Sequence, residues 1–266
     1  MIELQYLETH VADRCNLNCK GCSHFSPIAQ KNSYSIDEFK KDIERLAEFI
    51  DEIKIFRLLG GEPFMTSNLK EYIVLSRKFY PTSDLRIVTN GLLIHKADCN
   101  LIETIKKNNV QLDISLYHPT LTIIDKILKT LKKNNLRYNL LGPIKKFRKQ
   151  VYFSANSNII STFKNCKFKN CTFLYKGNIS ACPAPSLYYL LNTKFGTNFN
   201  GESDVLSIHS PNVTTKQILE FINRPLDVCK YCGEYLEIDW EQSTVANISD
   251  WLIDAHLFPL TDDKNG

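Results

Sequence analysis

Three cysteines in one short loop constrain this chain more than any other feature. Cys15-Asn16-Leu17-Asn18-Cys19-Lys20-Gly21-Cys22 spaces its thiols by three residues and then two, directly after an apolar, strand-like stretch over residues 4–11. Three thiolates from one loop hold three corners of a cubane iron–sulfur cluster. They leave the fourth iron without a protein ligand, open to a small molecule. A structural zinc ion wants four protein ligands, usually supplied as CxxC pairs, and fits this spacing poorly. The remaining alternative is three small residues packed in a core, and a polar loop is a poor setting for that.

The rest of the chain reads as alternating strands and helices. Further apolar, strand-like runs cover residues 53–59, 85–89, 110–116 and 136–141, with helical patterns between them. Ser35 and Glu38 have capping-box spacing ahead of Phe39, Ile43, Leu46, Ala47 and Ile50, which recur at helical intervals. An internal echo stands out. Residues 103–116 align with residues 129–142, each a helix ending in Lys-Lys, a turn of two asparagines, then an apolar strand. Lysines suit the negative end of a helix dipole, and asparagine tolerates the left-handed turn that ends a helix. Repeated βα units imply a parallel sheet with helices on its outer face. In a curved, partial (β/α) barrel, every strand would end at one mouth, where ligand chemistry gathers in closed barrels. The cysteine loop, Gly60-Gly61-Glu62, Thr89-Asn90 and Ser115 all stand at such ends.

Size and charge narrow the classes. A chain of 266 residues suits one medium domain with a small appendage, divided here into residues 1–150 and 151–266. A net charge of +4 with mixed signs gives no argument for nucleic acid or a membrane surface. No run is long enough to span a bilayer, and residues 1–10 lack a signal-peptide pattern, so a cytoplasmic location is expected. In that compartment nine cysteines point to metal more than to disulfides. Cys99, in a helical stretch, is expected to be a small core residue. Lys145, Lys146, Arg148 and Lys149 form a basic run, read as a solvated face or as a clamp for an anionic group near the barrel mouth.

The CxxxCxxC loop, Leu58-Leu59-Gly60-Gly61-Glu62-Pro63 and Thr89-Asn90-Gly91 together resemble the radical S-adenosylmethionine (SAM) superfamily. The family often carries an aromatic residue before the third cysteine. Here Gly21 stands there, and His24 and Phe25 follow at once. The resemblance implies a partial TIM-like barrel and a [4Fe–4S] cluster on Cys15, Cys19 and Cys22. It also implies reductive cleavage of SAM to methionine and a 5′-deoxyadenosyl radical, which takes a hydrogen atom from substrate. It places Gly60, Gly61 and Glu62 at the methionine end of SAM, and Thr89, Asn90 and Ser115 as ribose or carboxylate contacts. An electron donor such as flavodoxin or ferredoxin follows from the same chemistry.

A second cysteine set lies downstream. Cys166 and Cys182 flank a hairpin expected over residues 172–175 and 178–181, turned by Lys176-Gly177-Asn178, and Cys229-x2-Cys232 comes later. Four thiolates suit zinc as well as iron. The layout is similar to the "twitch" domain, a shorter relative of the SPASM domain, which implies a second [4Fe–4S] cluster on Cys166, Cys182, Cys229 and Cys232. Cys171 is then left over, as an alternative ligand, a free thiol, or the catalytic hydrogen donor of an epimerase. Size and cluster layout are similar to radical SAM enzymes that dehydrogenate or epimerise sugars and aminocyclitols, so a small carbohydrate-like substrate is expected. A radical SAM enzyme acting on a ribosomally made peptide and a non-catalytic iron–sulfur or zinc protein remain as alternatives.

Overall fold

Parallel pairing dominates the architecture, as the alternating pattern requires. The computed structural model describes residues 1–30 and 34–257. The first half runs β1 (Glu3–Ala12), α1 (Ile36–Ala47), β2 (Glu52–Gly60), α2 (Leu69–Phe79), β3 (Asp84–Thr89), α3 (Cys99–Lys107) and β4 (Gln111–Ser115). It continues through α4 (His118–Leu121), α5 (Ile124–Lys133), β5 (Arg137–Leu141) and β6 (Lys146–Val151). The second half adds α6 (Ile159–Asn165), β7 (Phe173–Tyr175), β8 (Asn178–Ser180), α7 (Ala184–Leu187), α8 (Tyr189–Phe195), β9 (Leu206–Ser207), α9 (Thr215–Ile222) and β10 (Cys232–Asp239).

Eight strands form one sheet in the order β5-β4-β3-β2-β1-β7-β8-β9. Strands β1 to β5 are parallel throughout, which is the partial-barrel, α/β fold expected from sequence. The expected hairpin forms as β7–β8. Lys176 and Gly177 both take positive φ (48° and 76°) in its two-residue turn. It does not stand apart: β7 pairs in parallel with β1 at Glu8↔Phe173, so the second half of the chain extends the sheet begun by the first.

Local sequence explains the helix ends. Ser35 and Glu38 close a full capping box on α1, and Phe39, Ile43 and Leu46 turn its buried face to the sheet. The two Lys-Lys-Asn-Asn segments are built alike. Asn108 and Asn134 end α3 and α5, each side chain donating to a threonine carbonyl at 2.8 Å (Thr104 and Thr130). Asn109 and Asn135 then take left-handed φ of 50° and 51°.

One expectation needs revision. Cys99 is exposed, not a core residue: it is the first residue of α3, and the buried face belongs to Leu101, Ile102 and Ile105. The basic run is a largely solvated face, with Lys145, Lys146 and Arg148 exposed and Lys149 partly buried, though three of its side chains have partners. Lys146 pairs with Asp239 at 2.7 Å across the antiparallel β6–β10 ribbon, Arg148 lies over the Tyr235 ring, and Lys149 Nζ donates to the Ser249 carbonyl at 2.7 Å.

Candidate functional site

Four chain segments meet where the parallel strands end. Cys15, Cys19 and Cys22, Gly60 and Gly61, Thr89 and Asn90, and Ser115 all line one cleft of about 140 Å³. These eight residues come from β1 to β4 and are distant in sequence. Their convergence follows from the sheet, because parallel strands bring every C-terminal end to one edge.

The two glycines are required by the fold itself. A Cβ on Gly60 would stand 2.1 Å from the Ala12 carbonyl oxygen, and one on Gly61 would stand 2.0 Å from that of Arg14. The Gly61 N–H donates to the Ala12 carbonyl at 2.6 Å, so the end of β2 is pressed against the chain leaving β1. Glu62 does not line the cleft. It lies fully buried beneath it, accepting from the Phe64 N–H (3.1 Å), the Thr89 hydroxyl (2.6 Å) and the Asn90 N–H (2.8 Å). Burial pushes its carboxyl up to about 6, against the pull of these donors. Glu62 therefore locks the β2 turn to the end of β3.

The three loop thiols and Tyr117 line the same cleft, and each thiol influences the others and the Tyr117 hydroxyl. Burial pushes Cys15 and Cys19 up to about 12. Binding to metal reverses that preference, since a coordinated thiol gives up its proton. Donors already point at the sulfurs: the Asn90 amide stands 3.6 Å from Cys15 Sγ, and the Trp240 indole N–H stands 3.1 Å from Cys19 Sγ. Thiols gathered in a loop with donors aimed at sulfur suit a cluster ligated on three corners. Sequence reading missed Tyr117, Phe147 and Trp240. Tyr117 and Phe147 line the cleft. Tyr117 was findable two residues beyond Ser115, whereas nothing local marks Trp240.

The second cysteine set also gathers. Cys182 is influenced by Cys232, Cys229 and Cys166, and Cys232 by Cys229 and Cys166, with the Tyr188 hydroxyl 3.7 Å from Cys232 Sγ. Cys171 looks elsewhere. Burial pushes its thiol up to about 12, and its charged neighbours are Glu8 and Arg57, with Cys166 the weakest influence. Among the described residues no three His, Cys, Asp or Glu side chains stand close enough to hold a single metal ion, so neither thiol set is preformed around one ion.

A polar layer lies one step deeper on the strands. Side chains two residues apart share a face of a strand. Arg57, Arg86 and Asp113 therefore lie below Leu59, Val88 and Ser115 of the cleft lining. Arg57 and Arg86 reach Asp113 at 3.3 and 3.5 Å. Glu8, paired in register with Arg57, accepts from the Tyr6 hydroxyl, and the buried Arg57 Nε has no partner. Burial pushes the Glu8 carboxyl up to about 7, partly offset by Tyr6 and Arg57, from 4.5 in the unfolded chain. The folded chain then holds this proton more tightly. The contribution to stability, up to ~3 kcal/mol, is full below about pH 4.5 and lost as pH rises through about 7. Glu8→Gln should flatten the stability profile across that window. Denaturant titrations of both proteins in parallel check this, and an unchanged slope would count against it.

Comparison with known proteins agrees with this arrangement. The Radical SAM superfamily profile matches residues 9–156. The chain is similar to the GTP 3′,8-cyclase of Aliarcobacter butzleri (strain RM4018), 31% identical over 115 residues, 42% of this chain and 35% of that enzyme. It is also similar to that of Helicobacter pylori (strain ATCC 700392 / 26695), 27% identical over 161 residues, 60% of this chain and 48% of the enzyme. The chain thus spans less than half the length of either relative. Its fold is similar to the crystal structure of BtrN in complex with AdoMet and 2-DOIA, with a TM-score of 0.50 at 14% identity, covering 87% of this chain and 93% of that one. No helix among the described residues is long and apolar enough to cross a membrane. With the matched segment running from β1 past β6 and enclosing the three-thiol cleft, the chain belongs to the radical SAM superfamily, enzymes that work with SAM and a [4Fe–4S] cluster.

Proposed function

We propose that this enzyme cleaves SAM at Cys15, Cys19 and Cys22 and abstracts hydrogen from a small, polyhydroxylated, carbohydrate-like substrate. The observation that carries the reading is the convergence of the three thiols with Gly60, Gly61, Thr89, Asn90 and Ser115 on one cleft. When bound, the cluster supplies the electron that breaks the carbon–sulfur bond of SAM. Residues 1–150 do this work, with electrons from a small redox protein such as flavodoxin or ferredoxin. Residues 151–266 hold a second [4Fe–4S] cluster on Cys166, Cys182, Cys229 and Cys232, supported by the mutual influence of those thiols.

The layer beneath the cleft is consistent with the substrate class: Glu8 and Tyr6 are hydrogen-bonded to each other, and the buried Arg57 Nε beside them has no partner among the described residues. Cys171 stands beside Glu8 and Arg57, and burial keeps it a protonated thiol. In this reading Cys171 gives its hydrogen atom to the substrate carbon radical, which inverts that centre. One electron from the external donor and one solvent proton then restore the thiol.

The test uses SAM, dithionite and a panel of carbon-deuterated aminocyclitols, sugars and GTP. Deuterium transfer into 5′-deoxyadenosine from a sugar or cyclitol is expected, and transfer from GTP alone would replace this substrate class. Cys171→Ala should keep its full iron, still cleave SAM, and fail to place solvent deuterium in the product. Loss of half the iron would make Cys171 a ligand and end the donor role.

A further inference from the structure

The cysteine loop is held from a distant part of the chain. Residues 240–243, just after β10, run alongside residues 17–20. The Lys20 N–H donates to the Glu241 carbonyl at 2.9 Å, the Ser243 N–H to the Asn18 carbonyl at 2.7 Å, and the Gln242 side chain to the Leu17 carbonyl at 2.8 Å. Lys20 Nζ and Glu241 add an ion pair at 2.7 Å. This strap fixes Trp240 from both sides: its N–H donates to the Lys145 carbonyl at 2.9 Å, and its ring packs on Tyr117 at 5.3 Å between centroids. The indole N–H is thereby aimed at Cys19 Sγ, 3.1 Å away.

We infer that Trp240 is a positioning residue that sets the reduction potential of the first cluster through its hydrogen bond to Cys19. The inference rests on the reading of Cys19 as a cluster ligand. A donor to a ligating sulfur draws negative charge from the cluster and stabilises its reduced form more than its oxidised form, which raises the potential. Trp240 has the geometry for this. Its indole donor is rigid, carries a single N–H, and sits part-buried, where fewer waters compete for the sulfur. An indole nitrogen is a donor only, so the bond cannot reverse direction when the sulfur gains charge. The device makes the first cluster easier to reduce, and it couples that property to the C-terminal part of the chain.

Trp240→Phe removes the donor and keeps a ring against Tyr117. The experiment is a potentiometric titration of the reconstituted protein, followed by electron paramagnetic resonance (EPR) of the signal that shifts when SAM is added. The variant should need about tenfold more reducing conditions at equal iron content, a fall of about 59 mV for one electron. In D₂O, pulsed EPR of the wild-type protein should show an exchangeable deuteron coupled to that cluster, and the variant should lack it. Lys20→Ala, which cuts the strap's ion pair and spares the indole, should keep the wild-type potential. An unchanged potential in Trp240→Phe, or an equal fall in Lys20→Ala, would overturn the inference. If the wild-type protein shows no signal that responds to SAM, the assignment of Cys19 as a ligand fails as well.

Discussion

Protein carrying Cys15→Ala, Cys19→Ala and Cys22→Ala together is expected to release no 5′-deoxyadenosine from SAM under dithionite, whereas the reconstituted wild-type protein should release it. The three thiols are the cluster ligands proposed above, and no other cysteine lines the cleft. With the second cluster proposed above, iron should fall from about eight to about four atoms per chain. The variant remains foldable on physical grounds. Cys15 and Cys22 are only partly buried and Cys19 is buried, and the backbone bonds between residues 17–20 and 240–243 involve none of the three thiols. Equal nucleoside yield from both proteins would refute the assignment. Zinc in place of iron at the remaining site, found by elemental analysis after anaerobic purification, would refute the second cluster alone.

Gly61→Ala is expected to damage both fold and chemistry. The new Cβ would meet the Arg14 carbonyl oxygen at 2.0 Å and its carbon at 2.2 Å. Both contacts are backbone, so neither can swing away as a long side chain would. The end of β2 must lift from the chain leaving β1, breaking the 2.6 Å bond from the Gly61 N–H to the Ala12 carbonyl. A cost of at least ~3 kcal/mol follows. For a chain of this size that lowers Tm by roughly 6–12 °C, measured at one scan rate. The lift displaces Gly60 and Gly61 relative to the cysteines, so SAM cleavage should fall on the order of 100-fold in protein that still loads iron. A Tm within about 2 °C of wild type would show that the junction yields without cost.

What was readable from sequence was local or periodic. The strand runs, the Ser35–Glu38 box and the two Lys-Lys-Asn-Asn turns each depend on neighbours within a few residues, and each is present in the structure. The cleft was also readable, because parallel topology converts four separated motifs into one edge. The glycines were legible as a motif, but their reason was not: they are needed where two backbone segments touch, which only the fold reveals. Glu62 was expected to act at the methionine end of SAM directly or through the local backbone; its oxygens are taken by Phe64, Thr89 and Asn90, a pairing set by the β2–β3 register that sequence does not show. Trp240 reaches Cys19 across 221 residues, and β7 meets β1 through a three-residue strand. No propensity scale carries information over such distances.

The strap that closes over the cysteine loop also sets a timetable. Lys20 and its partner Glu241 are separated by 221 residues, and the cysteines are made first. At roughly 5–20 residues per second, the nascent chain carries its three thiols uncovered for roughly ten to forty seconds before the segment that encloses them exists. During that interval β1 also lacks β7 along one edge. Iron and sulfide can therefore be delivered to an open loop while the ribosome is still working. In a chain released before loading, residues 240–243 already hold the backbone of residues 17–20 while Cys15 and Cys22 stay partly exposed on the cleft, so the loop is loaded in its fastened form.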